Sequence, residues 1–391
     1  MRLAEPGGPW WDVPLASGWV VALFALAAIG VSIAAGITWD VERYKRLRRS
    51  LLLVAMQLFS VLTLAASANL AGGFYGSLAD LLGVRHAATA ELNADAGRPV
   101  ADVEPWLAEA RAKVRPGHGV WAQTTIAGAR TGYKLPAWVY VPDAYFDPSQ
   151  PNRRFPVSIL LAGFPGAPQN WERQGHMVAV LDRLMASGRI PPMILVSVSQ
   201  NPNPKRDSEC VDAVGGARAD TYISEDVPDA LARHFRVMPN RTAWSLMGYS
   251  TGGYCAVDLA LRHPDRFGSA VSLDGYFAPA VDASTGDLFR KNVALQRSYT
   301  PALTVRNRRA VPLRFYLMVG DAERAAKTAG REFAASVHAP DTVTLVDIPG
   351  GHNWGTWTSA LPGALSWLAA DFADPALTGP VTGGRAAQGG N

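Results

Sequence analysis

The chain has 391 residues, enough for a large core and a further module beyond it. Charged residues make up 18% and the formal net charge is +4, with no basic stripe interleaved with aromatics, which argues against a nucleic-acid partner. Two cysteines exclude a disulfide-rich scaffold, and no CxxC or Cys/His cluster marks a zinc site, so no metal is expected.

In chain order, the first 79 residues read as membrane. Val13 to Trp39 and Leu51 to Ala79 carry no charged side chain. Each exceeds the roughly 20 apolar residues that span a hydrocarbon core. A helix satisfies its own backbone hydrogen bonds, so two spanning helices are predicted, about 13–39 and 51–76. A cleaved signal peptide fits poorly, because the positive n-region is nearly absent and the apolar run is too long. Arg43, Lys45, Arg46, Arg48 and Arg49 lie on the short connection between the helices, which the positive-inside rule puts in the cytoplasm. Everything after about residue 80 is then expected outside the cytoplasm, on a multi-pass chain held by membrane lipids. Trp10, Trp11, Trp19 and Trp39 fall where interfacial aromatics collect.

Residues 80–118 are polar and Ala-rich and read as a connector or stalk, with one short helix near Pro105 to Val114. From 119 to 373 the pattern is that of an α/β domain. "VWAQTTIAG" and "KLPAWVYVP" form a predicted strand pair around a glycine turn. "FPVSILLAG", "PMILVSVS", "TAWSLMG", "GSAVSLDG", "LRFYLMVG" and "TVTLVDIP" are nearly continuous apolar runs, as strands buried on both faces of a parallel sheet require. Helical segments fall between most of them, so a mostly parallel sheet with crossover helices is expected. Gly275 to Ala310 has no clean amphipathic period and predicts an excursion above the sheet, where ligands of such folds collect. Residues 374–391, rich in Gly, Ala and Pro, predict disorder.

The chemistry centres on Gly248-Tyr249-Ser250-Thr251-Gly252. GxSxG between an apolar strand and a helix describes a turn so tight that the central serine is held in strained backbone geometry, its hydroxyl above the sheet. A serine needs a base, and the base a carboxylate. Of seven histidines only His352, in "IPGGHNWGTW", lies beyond the last predicted strand. The carboxylate should follow "LRFYLMVG", where Glu323 is favoured by its spacing from Gly320 and Asp321 is the alternative. Asp274, one strand after the serine, reads as structural. Two backbone N–H groups should receive the developing oxyanion: that of Thr251, and that of Phe164 in the loop after "SILLAG". Trp354 and Trp357 either pack the histidine loop down or line a substrate cleft. Cys255, on the first turn after the serine, and Cys210, after the neighbouring strand, both fall near the top of the sheet and could form a disulfide.

"GYSTGGYCAVDLALRHPDRF", the "DSEC" loop at Asp207 to Cys210 and "PGGHNWGTW" together resemble the esterase family that includes esterase D and the mycobacterial antigen 85 mycolyltransferases. The resemblance covers roughly Gly119 to Phe372 and leaves out the membrane segment. It implies an α/β-hydrolase fold and a triad of Ser250, His352 and Glu323 or Asp321. It also implies an acyl-enzyme intermediate resolved by water or a sugar hydroxyl. No cofactor is implied, and the expected partner is an acyl ester, with envelope lipids or glycolipids as candidates. A catalytically silent, envelope-binding protein on the same fold is the competing reading.

Overall fold

The computed structural model describes residues 17–72, 91–93, 103–307 and 311–372, with single positions 13, 15, 75, 78 and 81. Trp10 and Trp11 and the expected disordered tail lie outside the described residues. Helices α1 (Gly18–Thr38) and α2 (Lys45–Gly72) are packed against each other. By length and composition both could cross a membrane, with mean hydropathies of 2.5 and 2.1 in their most apolar windows. Their apolar side chains point outward, as at Leu26, Ile37 and Leu64.

The sequence placed the basic run on the connection. Instead α2 begins at Lys45, so Lys45, Arg46, Arg48 and Arg49 ride on its first turns. The guanidiniums of Arg48 and Arg49 turn back to the end of α1: Arg49 donates to the Trp39 carbonyl at 3.0 Å, and Arg48 to that of Val41. Carbonyls at a helix C-terminus have no intrahelical donor, and cations supply one.

The rest is built on a nine-stranded sheet in the order β1-β2-β3-β5-β4-β6-β7-β8-β9. The strands are β1 (Glu91–Asn93), β2 (Val120–Ala127), β3 (Lys134–Val141), β4 (Val157–Leu161), β5 (Ile194–Val198), β6 (Trp244–Tyr249), β7 (Ser269–Leu273), β8 (Arg314–Gly320) and β9 (Thr342–Ile348). β3 runs antiparallel to both β2 and β5, and the other pairings are parallel. All eight strands expected from residue 119 onward are present. Every residue of β4 to β7 is buried, which is why those runs lack polar alternation.

Residues 91–93 and 103–113 do not form a free stalk. β1 extends the sheet beside β2, and helix α3 (Val103–Lys113) buries Val103, Trp106 and Ala110 in the core. The Trp106 indole also donates to the Gln123 carbonyl at 2.8 Å. Apolar burial on one helical stripe outweighs the polar average of the segment.

Helices cover both faces. α3, α5 (Val227–His234), α6 (Thr251–Arg262) and α7 (Arg324–Ser336) share one core. α4 (Met177–Ala186) and α8 (Trp354–Phe372) share the other. The Gly275–Ala310 excursion has its own small cluster, in which Leu288, Phe289 and Tyr299 pack on Val211 of the loop after β5. Its described residues include the short α-helices Val293–Ser298 and Pro301–Thr304 and the 3-10 turn Val305–Asn307.

Candidate active site

Ser250 stands between β6 and α6 with φ 55° and ψ −125°. A non-glycine residue at positive φ is strained and persists only where its surroundings hold it. Here its N–H donates to the Leu273 carbonyl at 2.9 Å, while its own carbonyl accepts from Gly253 and Tyr254. The flanking glycines are steric necessities: a Cβ on Gly248 would lie 2.0 Å from the Gly252 carbonyl oxygen, and one on Gly252 would lie 2.2 Å from that of Leu161. The GxSxG spacing is therefore what lets helix, strand and neighbouring strand meet at one corner.

His352 reaches this corner from the loop after β9. Its Nε2 lies 2.8 Å from Ser250 Oγ. Trp357 stands edge-on to the imidazole, ring centroids 5.1 Å apart. Trp354 and Trp357 are 7% and 4% exposed and pack on Tyr249, with centroids 4.6 and 4.7 Å away. Of the two roles open to these tryptophans, the burial supports packing the loop down and leaves little surface for a cleft.

Three carboxylates surround the loop. Asp274 is buried, and its oxygens accept from the Gly320 N–H at 2.6 Å and the Trp357 indole at 3.0 Å. Burial raises its pKa, and those two hydrogen bonds and the nearby His352 act against the rise. Asp321 is exposed and accepts from the Gly350 N–H at 3.0 Å, tying the histidine loop to the end of β8. Glu323 is half-buried, and its Oε1 would lie 3.6 Å from a Cβ on Gly351. Among the described residues none of the three hydrogen-bonds the imidazole.

Gly163 brings the loop after β4 against the serine: a Cβ there would lie 2.9 Å from Ser250 Cβ. The Phe164 backbone follows immediately. Thr251 is the first residue of α6, where an N–H has no intrahelical acceptor. Cys210 and Cys255 are joined, S–S 2.05 Å and Cα–Cα 5.7 Å, so the loop after β5 is bonded to α6 one turn beyond Thr251.

A family profile described as "Putative esterase" matches residues 128–368. The chain belongs to this esterase family. Among curated proteins, an uncharacterized protein of Corynebacterium glutamicum is 26% identical over 243 residues, covering 60% of this chain and 56% of that one. The MPT51/MPB51 antigen of Mycobacterium tuberculosis is 30% identical over 147 residues, 34% of this chain and 45% of the antigen. The chain thus spans about half the length of the curated relatives it matches. Two solved structures share the fold. A ferulic acid esterase has a TM-score of 0.54 at 22% identity, over 66% of this chain and 99% of that one. An S-formylglutathione hydrolase from Agrobacterium tumefaciens has a TM-score of 0.55 at 20% identity, over 66% and 97%.

Around the serine of this esterase-family chain lie residues to which the sequence had assigned no chemistry. Asp207, Glu209 and Tyr276 converge beside Thr251. Thr251 Oγ1 is 3.2 Å from Asp207 Oδ2 and 3.1 Å from the Tyr276 hydroxyl, which is 2.5 Å from Glu209 Oε1. Burial raises the pKa of Asp207 to about 6, and burial with the Asp207 charge raises that of Glu209 to about 8. The one sequence signal was two acids flanking a serine just before a cysteine, an unusual content for a buried loop.

Proposed function

We propose that the protein is a membrane-anchored serine esterase or acyltransferase whose α/β domain faces away from the cytoplasm. The observation that carries this reading is Ser250 Oγ at 2.8 Å from His352 Nε2, on a strained strand–helix corner. In the proposed reaction Ser250 Oγ attacks an ester carbonyl while His352 Nε2 takes its proton. The carbonyl oxygen becomes an oxyanion received by the N–H groups of Thr251 and Phe164. Collapse expels the alcohol, protonated by His352, and leaves the acyl group on Ser250. Water or an acceptor hydroxyl then gives its proton to His352 and attacks the acyl carbonyl; collapse releases the acid or the new ester, and His352 returns the proton to Ser250 Oγ. Glu323 is the proposed orienting carboxylate; it has no side-chain hydrogen bond among the described residues. None of these steps calls for a metal or organic cofactor.

The two apolar helices and the cations on α2 support an anchor with the connection on the cytoplasmic side. An anchored site is suited to lipid-linked esters of the cell envelope. Similarity to an endo-1,4-beta-xylanase/feruloyl esterase of Xylanibacter ruminicola, 28% identical over 156 residues, supports an acyl ester as substrate.

The test is labelling of the full-length protein, in detergent, with a fluorophosphonate. Wild type should be labelled and hydrolyse p-nitrophenyl esters, and Ser250→Ala should do neither. Equal labelling of the two would leave a silent, binding role. Faster cleavage of peptide amides than of esters would make it a peptidase. Mass spectrometry of Ser250 after exposure to envelope lipid extracts would then identify the acyl group, and a reporter fused after residue 80 would test the orientation.

A further inference from the structure

Thr251 has a second feature besides its N–H. Its side-chain hydroxyl, 5% exposed as a residue, is approached by two groups from distant parts of the chain. Asp207 comes from the loop after β5 and Tyr276 from the segment after β7. Both segments are themselves held. Asp207 Oδ1 accepts from the Glu209 N–H at 3.0 Å, and Glu209 Oε2 accepts from the Ala280 N–H at 3.2 Å. Glu209 and Cys210 sit at φ 49° and 52°, a strained pair kept in place by these bonds and by the disulfide to Cys255.

The hydrogens of this cluster can be counted. Glu209, Tyr276, Thr251 and Asp207 form three contacts in series, and the two hydroxyls supply two hydrogens. The Tyr276 hydroxyl donates to Glu209 Oε1, the Thr251 hydroxyl donates to Asp207 Oδ2, and the two hydroxyl oxygens meet at 3.1 Å. The two acids thus hold the two hydroxyls, and the hydroxyls hold each other.

Such a chain is not needed to cap α6. The N-cap is Ser250, and the Thr251 hydroxyl bonds outward to other segments rather than to the helix. What it does fix is the Thr251 residue itself. A side chain pinned from two directions holds its Cα, and so the direction of its N–H. Oxyanion stabilisation depends on that direction, because a donor acts fully only when aimed at where the charge develops.

We propose that Asp207 and Tyr276 are positioning residues that hold the Thr251 N–H on the reacting carbonyl, with Glu209 holding Tyr276. The inference rests on the serine-hydrolase reading above. It names residues for which that reading has no role.

The test is steady-state hydrolysis of p-nitrophenyl butyrate by the full-length protein in detergent. Tyr276→Phe, Thr251→Val and Asp207→Ala should each lower kcat about tenfold, less than the 100-fold or more for outright loss of an oxyanion donor. KM should stay within about twofold, because the contact strengthens only in the transition state. Asp207→Asn and Thr251→Ser keep an acceptor and a hydroxyl and should return kcat to within about threefold of wild type. The double variant Tyr276→Phe/Thr251→Val should be no slower than Thr251→Val alone, since that variant already removes the hydroxyl through which Tyr276 acts. A merely structural cluster would lower the denaturation midpoint without this split, rescue or non-additivity.

Tyr276→Phe deletes one oxygen and is the variant least exposed to misfolding. Unchanged kcat in Tyr276→Phe and Thr251→Val, or losses confined to KM, would overturn the proposal. Ser250→Ala separates the two levels. If it retains the wild-type rate, the serine-hydrolase reading fails; if it is inactive while Tyr276→Phe is fully active, only the positioning role fails.

Discussion

Glu209→Gln is the substitution whose consequence can be worked furthest. Glu209 is 1% exposed, and its carboxyl is pushed from an ordinary 4.5 to about 8 by burial and then by the Asp207 charge. Between those values the folded protein holds a proton that the unfolded chain has released. Stability must therefore fall as pH rises through this window. One pKa unit is worth about 1.4 kcal/mol. Integrating the two titrations from pH 5 to pH 8 gives a loss of about 3 to 4 kcal/mol from Glu209. Glutamine mimics the protonated acid: its NH₂ can donate to Tyr276 and its carbonyl can accept from Ala280. The variant should thus lack this component, and its stability relative to wild type should rise by about 3 to 4 kcal/mol between pH 5 and pH 8. Asp147 and Asp282, held below their ordinary values by hydrogen bonds from Ser149 and Ser284, stay ionised throughout and add no slope. Asp207 and Asp274 titrate alike in both proteins and cancel in the difference. The assay is urea denaturation followed by tryptophan fluorescence in detergent, for wild type and variant, at steps from pH 5 to pH 8. A difference that stays constant with pH, or shrinks toward pH 8, would refute the reasoning.

Other consequences follow from the same geometry. The disulfide closes a loop of 45 residues, so replacing both Cys210 and Cys255 by serine should cost about 4 kcal/mol in the chain-entropy account, read as a lower denaturation midpoint. Gly252→Ala forces a Cβ to 2.2 Å from the Leu161 carbonyl oxygen, so the elbow must open; fluorophosphonate labelling should be lost and stability should drop by about 3 kcal/mol. Glu323→Gln should lower kcat by roughly 10³-fold or more, as loss of the orienting carboxylate does in serine triads. Asp321→Asn, at an exposed side chain, should stay within about threefold. Equal effects of these last two on p-nitrophenyl ester hydrolysis would refute the choice between them.

What was legible in the sequence divides along the range of the interactions. β4 to β7 were visible because burial on both faces writes a continuous apolar run. The elbow was visible because its steric demands fall within five consecutive residues. β1 was not, since three residues with two polar side chains carry no period, and only pairing with β2 makes them a strand. α8 was missed as a helix: Pro362 interrupts its pattern, and its length is sustained by packing on the sheet. The contacts of Thr251 lie 44 residues back to Asp207 and 25 forward to Tyr276, and no local spacing encodes them. The placement of both cysteines at the top of the sheet was legible, but the strand before Cys210, β5, is not the neighbour of β6 as expected: β4 lies between them, and the disulfide spans it.

The choice of orienting carboxylate shows why spacing left two candidates and how hydrogen bonding separates them. A carboxylate that steadies an imidazolium needs a free oxygen within reach of the ring. Asp274 lies near His352, whose charge acts to lower its pKa, yet its oxygens already serve the Gly320 N–H and the Trp357 indole. Turning it toward the ring would leave a buried indole N–H without a partner, at a cost of about 1–3 kcal/mol. Asp321 gives one oxygen to the Gly350 N–H and so holds the loop on which His352 is carried. Releasing it would loosen the histidine it was meant to steady. Glu323 has no such engagement among the described residues and lies beside Gly351, the neighbour of His352. Its two side-chain methylenes allow the carboxylate to swing while the backbone stays fixed at the start of α7, where its N–H donates to the Gly320 carbonyl at 3.0 Å. Catalytic hydrogen bonds are often long before substrate binds and tighten in the complex. Asp274 is engaged by the packed tryptophan and Asp321 by the loop, which is why Glu323 is the acid proposed to orient the imidazole.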